Sequence, residues 1–140
     1  MASKGQFTGM TGSFLVAAQL SARNLVASTT SRSAAGADIL VTDAECCVAF
    51  SIQVKTNSKS AGFWLLGKKE PPKGSASHIY AFVNLGKDES GDVTGDYYLV
   101  PSRVVSKMAS YGGDTWPVYS VKKADIEKYR NNWDIFFDGR

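Results

Sequence analysis

With 140 residues, 44% of them apolar and 11% aromatic, the chain has enough material for a packed core and reads as one domain over 1–140. A net charge of +3 and a pI of about 8.9 suit a phosphate-rich partner without requiring one. Cys46 and Cys47 are adjacent and cannot close a fold by pairing, and no apolar run approaches the roughly 20 residues that span a bilayer, so a soluble, cytoplasmic protein without a membrane partner is expected.

Met1 to Met10 is polar and glycine-containing and predicts a loose lead-in, with Thr11 or Ser13 capping the helix that follows. Phe14, Ala17, Ala18, Ser21, Ala22 and Leu25 recur at helical spacing, and their small side chains suit a helix lying close on a sheet. Leu25 to Thr29 is a short strand candidate, and the polar stretch to Ala35, with Arg32, is a loop. Next come Ala37 to Val41 and, after a turn around Asp43-Ala44-Glu45, the segment Val48 to Thr56. In the latter, Val48, Phe50, Ile52 and Val54 alternate with Ala49, Ser51, Gln53 and Lys55, the period of a strand with one buried face. The short connection makes the pair an antiparallel hairpin.

Phe63 to Leu66 is a short apolar strand, and the basic, proline-containing stretch Lys68 to Ser75 is an exposed loop. Ile79 to Leu85 predicts a central strand, and Asp96 to Val100 its antiparallel neighbour, ended by Pro101. Ser102 is placed to cap a helix to about Ser110 with Val104, Val105 and Met108 inward; Gly112-Gly113 breaks it, and Trp116 to Ser120 adds an extended piece. A last helix from about Ala124 to Trp133 is expected from Ile126, Tyr129, Arg130 and Trp133 at i, i+3, i+4 and i+7. The order of elements predicts an α/β or α+β sandwich around a mixed sheet.

Alternation turns Gln53 and Lys55 to the same side, and hairpin pairing brings Asp38 beside them. A carboxylate, an amide oxygen and an ammonium make a cation-assisted phosphodiester site: acid and amide hold a hard metal, and lysine orients or polarises the attacking water. Ser51 and Thr56 flank this group and are placed to hydrogen-bond phosphate. Glu45 falls at the far end of the hairpin, and the single histidine, His78, reads as a surface residue before a strand. There is no phosphate loop of P-loop type and no G-x-S-x-G elbow.

Gly36-Ala37-Asp38, Gln53-Val54-Lys55 and the helix around Gly9 to Leu20 together resemble the PD-(D/E)xK, restriction-endonuclease-like nuclease superfamily in its QxK form, as in Holliday-junction-resolvase-like members. The resemblance runs from Gly9 to about Val100. It implies a three-layer α/β/α core with a mixed central β-sheet, metal-dependent cleavage of DNA with Asp38, Gln53 and Lys55 as catalytic residues, and a homodimer. It further implies Mg²⁺ or Mn²⁺ on Asp38 and Gln53, weakly held because Gln53 replaces an acid and Ser13 stands where the family's helix commonly carries Glu. Arg32, Thr56, Lys59, Lys68, Lys69 and Lys73 are then the phosphate-contact candidates. The plainer alternative is an acid at a strand edge, solvent-facing polar residues and a solvated loop, which gives a catalytically inactive nuclease-fold module that binds nucleic acid or protein.

Overall fold

In a computed structural model, which describes residues 3–31, 37–67 and 74–137, the first helix, α1, runs Lys4–Ala22. It begins before the expected lead-in has ended because Ser3 and Gln6 form a capping box: Ser3 Oγ accepts the Gln6 N–H at 3.2 Å and Gln6 Oε1 accepts the Ser3 N–H at 2.7 Å. Thr11 is no cap, since its hydroxyl donates to Phe7 O within the helix. The helix is also rotated from the expected face. Its buried line is Gly12, Val16 and Leu20, while Ala18, Ser21 and Ala22 face out and Phe14 is 57% exposed. Close approach is the reason. A Cβ on Gly12 would overlap the side chain of Thr56, so the helix can lie on the sheet only along the line that contains this glycine.

Among the described residues eight strands follow: β1 (Val26–Thr29), β2 (Ile39–Thr42), β3 (Ala49–Asn57), β4 (Phe63–Gly67), β5 (His78–Lys87), β6 (Val93–Pro101), β7 (Ser110–Tyr111) and β8 (Tyr119–Lys122), with helix α2 (Ser102–Met108) between β6 and β7. Five of them form a mixed sheet in the order β1-β2-β3-β5-β6, parallel only between β3 and β5. The other three form a small antiparallel sheet, β4-β8-β7. The fold is α/β with a mixed central sheet, and the β2–β3 hairpin lies where alternation predicts it.

The central sheet has a different core on each face. Toward α1, Ile39, Val41, Ile52, Ile79, Ala81, Val83 and Leu99 pack with Val16, Leu20, Trp133 and Phe136. Toward α2 and the small sheet, Tyr80, Phe82, Tyr98 and Val100 pack with Trp64, Val105, Val121 and Ile126. Trp64 ties the layers: its Nε1–H donates to Val83 O at 3.0 Å, and its ring lies against Phe82 and Tyr98. Burying such rings contributes about 1.5–3 kcal/mol each.

Two expectations at the C-terminal end are corrected. Residues from Lys123 to Phe136 form three short 3₁₀ turns, not one helix, because Asn131 takes a left-handed φ of 52° that interrupts any continuous helix. Ile126 and Trp133 are nevertheless buried, and Arg130 pairs with Asp96 at 2.9 Å. Ser102 does not cap α2. Its hydroxyl accepts the Ser75 N–H at 2.8 Å and donates to Ser75 O at 2.9 Å, tying the segment before β5 to the start of the helix.

Candidate active site

β3 alternates as its sequence predicts. Ile52, Val54 and Thr56 turn to α1, while Ser51, Gln53, Lys55 and Asn57 form one row on the other face. The parallel register with β5 sets beside them His78, Tyr80, Phe82 and Asn84 in that order. Both ends of this double row are joined by side-chain hydrogen bonds: Ser51 Oγ to His78 Nδ1 at 2.6 Å, and Asn57 Nδ2 to Asn84 Oδ1 at 2.9 Å. The middle is different. Gln53 stands beside Tyr80 without a hydrogen-bond partner among the described residues, and Lys55, beside Phe82, donates from Nζ to Leu66 O at 3.3 Å. Tyr80 and Phe82 stack with their planes 10° apart and form the apolar wall of the row.

Asp38, just before β2, meets the outer edge of β3. Its N–H donates to Ile52 O at 2.8 Å and its Oδ2 accepts the Val54 N–H at 2.7 Å, so the two bonds straddle Gln53. β2 ends its pairing there while β3 runs on to Asn57, and the carboxylate satisfies the first N–H that the shorter strand leaves unpaired. Asp38 thus stands at the border of the polar row and of a second space. A cleft of about 580 Å³ opens between α1 and the sheet, lined by Gln6, Gly9, Met10, Ser13 and Phe14 on the helix and by Thr30, Asp38 and Val54 opposite.

The electrostatics place Lys55 and His78 in the field of that one carboxylate. Burial holds the Lys55 ammonium below the ordinary lysine range, and the negative charge of Asp38 opposes the shift. Burial likewise lowers His78, opposed by its hydrogen bonding to Ser51 and again by Asp38. A partly desolvated lysine beside a carboxylate is a cation that gives up its proton more readily than a free one.

Of the residues singled out from sequence, the fold brings together Asp38, Gln53 and Lys55, with Ser51 at the end of their row and Ser13 across the cleft from Asp38. Thr56 is a correction: it lies on the α1 face, and its Oγ1 is buried without a partner, so the hydroxyl cannot reach a phosphate on the Lys55 face. Lys59 is in the exposed bend after β3. Arg32, Lys68, Lys69 and Lys73 lie outside the described residues.

His78 is the residue that sequence reasoning placed wrongly. It is half-buried and bonded to Ser51, not a free surface side chain. Its place follows from the parallel pairing of β3 with β5, a contact between distant segments for which no local pattern exists. At the opposite end of the hairpin, Asp43, Glu45 and Cys47 bring one ligand atom each within 4.8 Å of one another and could hold a metal ion. Asp43 Oδ1 there accepts the N–H groups of Cys47 and Val48 and so also shapes the turn.

Among the described residues, no helix is long and apolar enough to cross a membrane. No family model and no curated protein matches the sequence. The fold is similar to that of a solved bacterial homing endonuclease, I-Ssp6803I, with a TM-score of 0.60 over 99% of this chain and 95% of that one; at 16% sequence identity the likeness is one of fold.

Proposed function

We propose that the chain is a divalent-metal-dependent DNA endonuclease of PD-(D/E)xK type in its QxK form. The observation that carries this reading is the middle of the polar row: Gln53 without a hydrogen-bond partner among the described residues and Lys55 partly desolvated, on the strand whose edge holds the carboxylate of Asp38. A partly desolvated cation beside an amide that the protein does not engage has hydrogen-bonding capacity to spare, and perturbed ionisable groups of this kind are characteristic of a site that meets a ligand. The fold shared with a homing endonuclease supports DNA as that ligand.

The donor set fits a hard cation. Asp38 supplies one anionic oxygen set beside a fixed backbone N–H, and Gln53 an amide oxygen, so Mg²⁺ or Mn²⁺ would be held loosely and completed by water and phosphate oxygens. When bound, such an ion neutralises charge that develops on the phosphate. Asp38 orients its side of the site through the Val54 bond, and Lys55 positions the attacking water; burial disfavours its ammonium and so raises the share of neutral amine able to accept the water's proton. Ser13, in the same cleft as Asp38, contributes a neutral oxygen where an acid would tighten the metal. Lys59, with Arg32, Lys68, Lys69 and Lys73, contacts the phosphate backbone, and two copies act together on two strands.

Nicking of supercoiled and four-way-junction DNA by wild type, Asp38→Ala and Lys55→Ala, each with Mg²⁺, Mn²⁺ or EDTA, tests the reading. Metal-dependent nicking by wild type that both variants lose is the expected result. DNA binding by wild type without nicking under any metal would make the chain a binding module on a nuclease scaffold.

A further inference from the structure

The polar row continues past Gln53, away from Lys55, to Ser51 and the only histidine of the chain. Successive same-face residues of a strand are about 6.6–6.8 Å apart, so this end of the row lies one step from the Asp38–Gln53 position. That step is comparable to the separation of neighbouring phosphates along one nucleic-acid strand. The imidazole is held there by two contacts and its backbone by a third. Nδ1 is engaged by Ser51 Oγ at 2.6 Å, the ring edge packs against Tyr80 with centroids 5.5 Å apart, and the His78 backbone N–H is held by Ser75 O.

Nε2 has no partner among the described residues, and the residue is only half-buried. A bond that served only to join β3 to β5 would not need a ring with a second nitrogen, since the ladder already joins them over seven register pairs from Ser51–His78 to Asn57–Asn84. The Ser51 hydroxyl bonds the ring, and the Asp38 carboxylate is the charged group among the described residues whose field reaches it.

We propose that His78 is a substrate-positioning residue: with Nδ1 tethered to Ser51, it presents Nε2 to the phosphate that neighbours the scissile one on the same DNA strand. The inference rests on the endonuclease reading for its ligand. Contacts to flanking phosphates set the register of a nucleic acid on a protein without reading its sequence, so His78 acts on where the strand lies and not on the chemistry of cleavage.

The test compares wild type with His78→Ala, His78→Asn and His78→Gln. An Asn amide can occupy the place of Nδ1 and keep the Ser51 bond, whereas Gln reaches the place of Nε2. Each protein is titrated with a short synthetic DNA duplex in Ca²⁺ and assayed for nicking of supercoiled DNA in Mg²⁺, and the ring nitrogens of wild-type His78 are followed by NMR as duplex is added. The expected result is that Ala and Asn weaken DNA binding and raise KM alike by roughly ten- to hundredfold, the loss of one hydrogen bond to a charged partner, while kcat changes little. Gln recovers part of the loss, and the Nε2 resonance shifts on adding duplex while Nδ1 moves less.

If Asn restores wild-type binding, or Nε2 is unmoved by saturating duplex, His78 is structural and the proposal is overturned. The endonuclease reading is judged separately, by loss of nicking in Asp38→Ala. A wild type that binds duplex without nicking it overturns that reading and leaves the His78 comparison readable by binding alone. Failure of the wild type to bind DNA at all overturns both.

Discussion

Toward α1 the central sheet presents Ile39, Val41, Ile52, Ala81, Val83 and Leu99, side chains with no polar atom to satisfy. Toward the small sheet it presents aromatic rings, and in the same rows Ser51, Gln53, Lys55 and His78. Both faces are packed, yet the second carries a row of half-buried polar groups where the first is almost wholly aliphatic. One exception on the first face is Thr56 Oγ1, a buried hydroxyl without a partner among the described residues. The contrast separates two faces of one sheet: an aliphatic face packs against a helix, while a mixed face holds half-buried polar groups beside aromatic rings.

The sharpest way to break this comparison is Lys55→Met, which keeps the length of the side chain and removes its charge. Nicking should fall by about 10²–10⁴-fold, the range of a lost acid–base group, while the thermal midpoint is no lower than that of wild type, because burial already disfavours the ammonium. A large loss of Tm instead would place Lys55 among the groups that hold the fold. The next effect is on stability: Trp64→Ala should cost about 3–5 kcal/mol in urea unfolding, since it empties the centre of the aromatic core and strands the Val83 carbonyl.

On the α1 face the expected changes are smaller. Gly12→Ala should destabilise by about 1–3 kcal/mol through overlap with Thr56, and circular dichroism should show the helix retained. Thr56→Val, nearly isosteric, should stabilise by about 1 kcal/mol by removing the orphan hydroxyl, with nicking unchanged. A loss of DNA binding in this variant would return Thr56 to the phosphate contacts.

The smallest effect is one of pH. The folded state lowers the proton affinity of His78 below its ordinary value of 6.5, so on acidification the unfolded chain takes the proton first. Stability attributable to His78 is therefore fully present above 6.5 and declines as pH falls from there through the lower folded value. His78→Asn should flatten that part of the Tm–pH curve relative to wild type.

The β2–β3 hairpin and the common side of Gln53 and Lys55 were legible because they depend on a period of two and a short turn, both local. The strands around Ile79 and Tyr97 were legible for the same reason, as dense apolar runs between turn residues. The inward face of α1 was not. Phe14 and the alanines fit a helical stripe as well as Gly12, Val16 and Leu20 do, and the choice depends on a steric fit to Thr56 that lies 44 positions further along the chain. The helix expected near the C-terminus failed at Asn131, where a left-handed residue and the packing of Trp133 against Tyr97 outweigh helical spacing.

The sequence by itself determined the main strands, their alternation and the chemical types at the candidate site, because propensity and periodicity are properties of neighbouring residues. Only the tertiary structure decided the parallel pairing of β3 with β5, the bond of Ser51 to His78, the capture of the Val54 N–H by Asp38 and the burial of Lys55. Each of these joins segments far apart in the chain, and it is the packing of the whole that sets their distance, their shared field and their access to water.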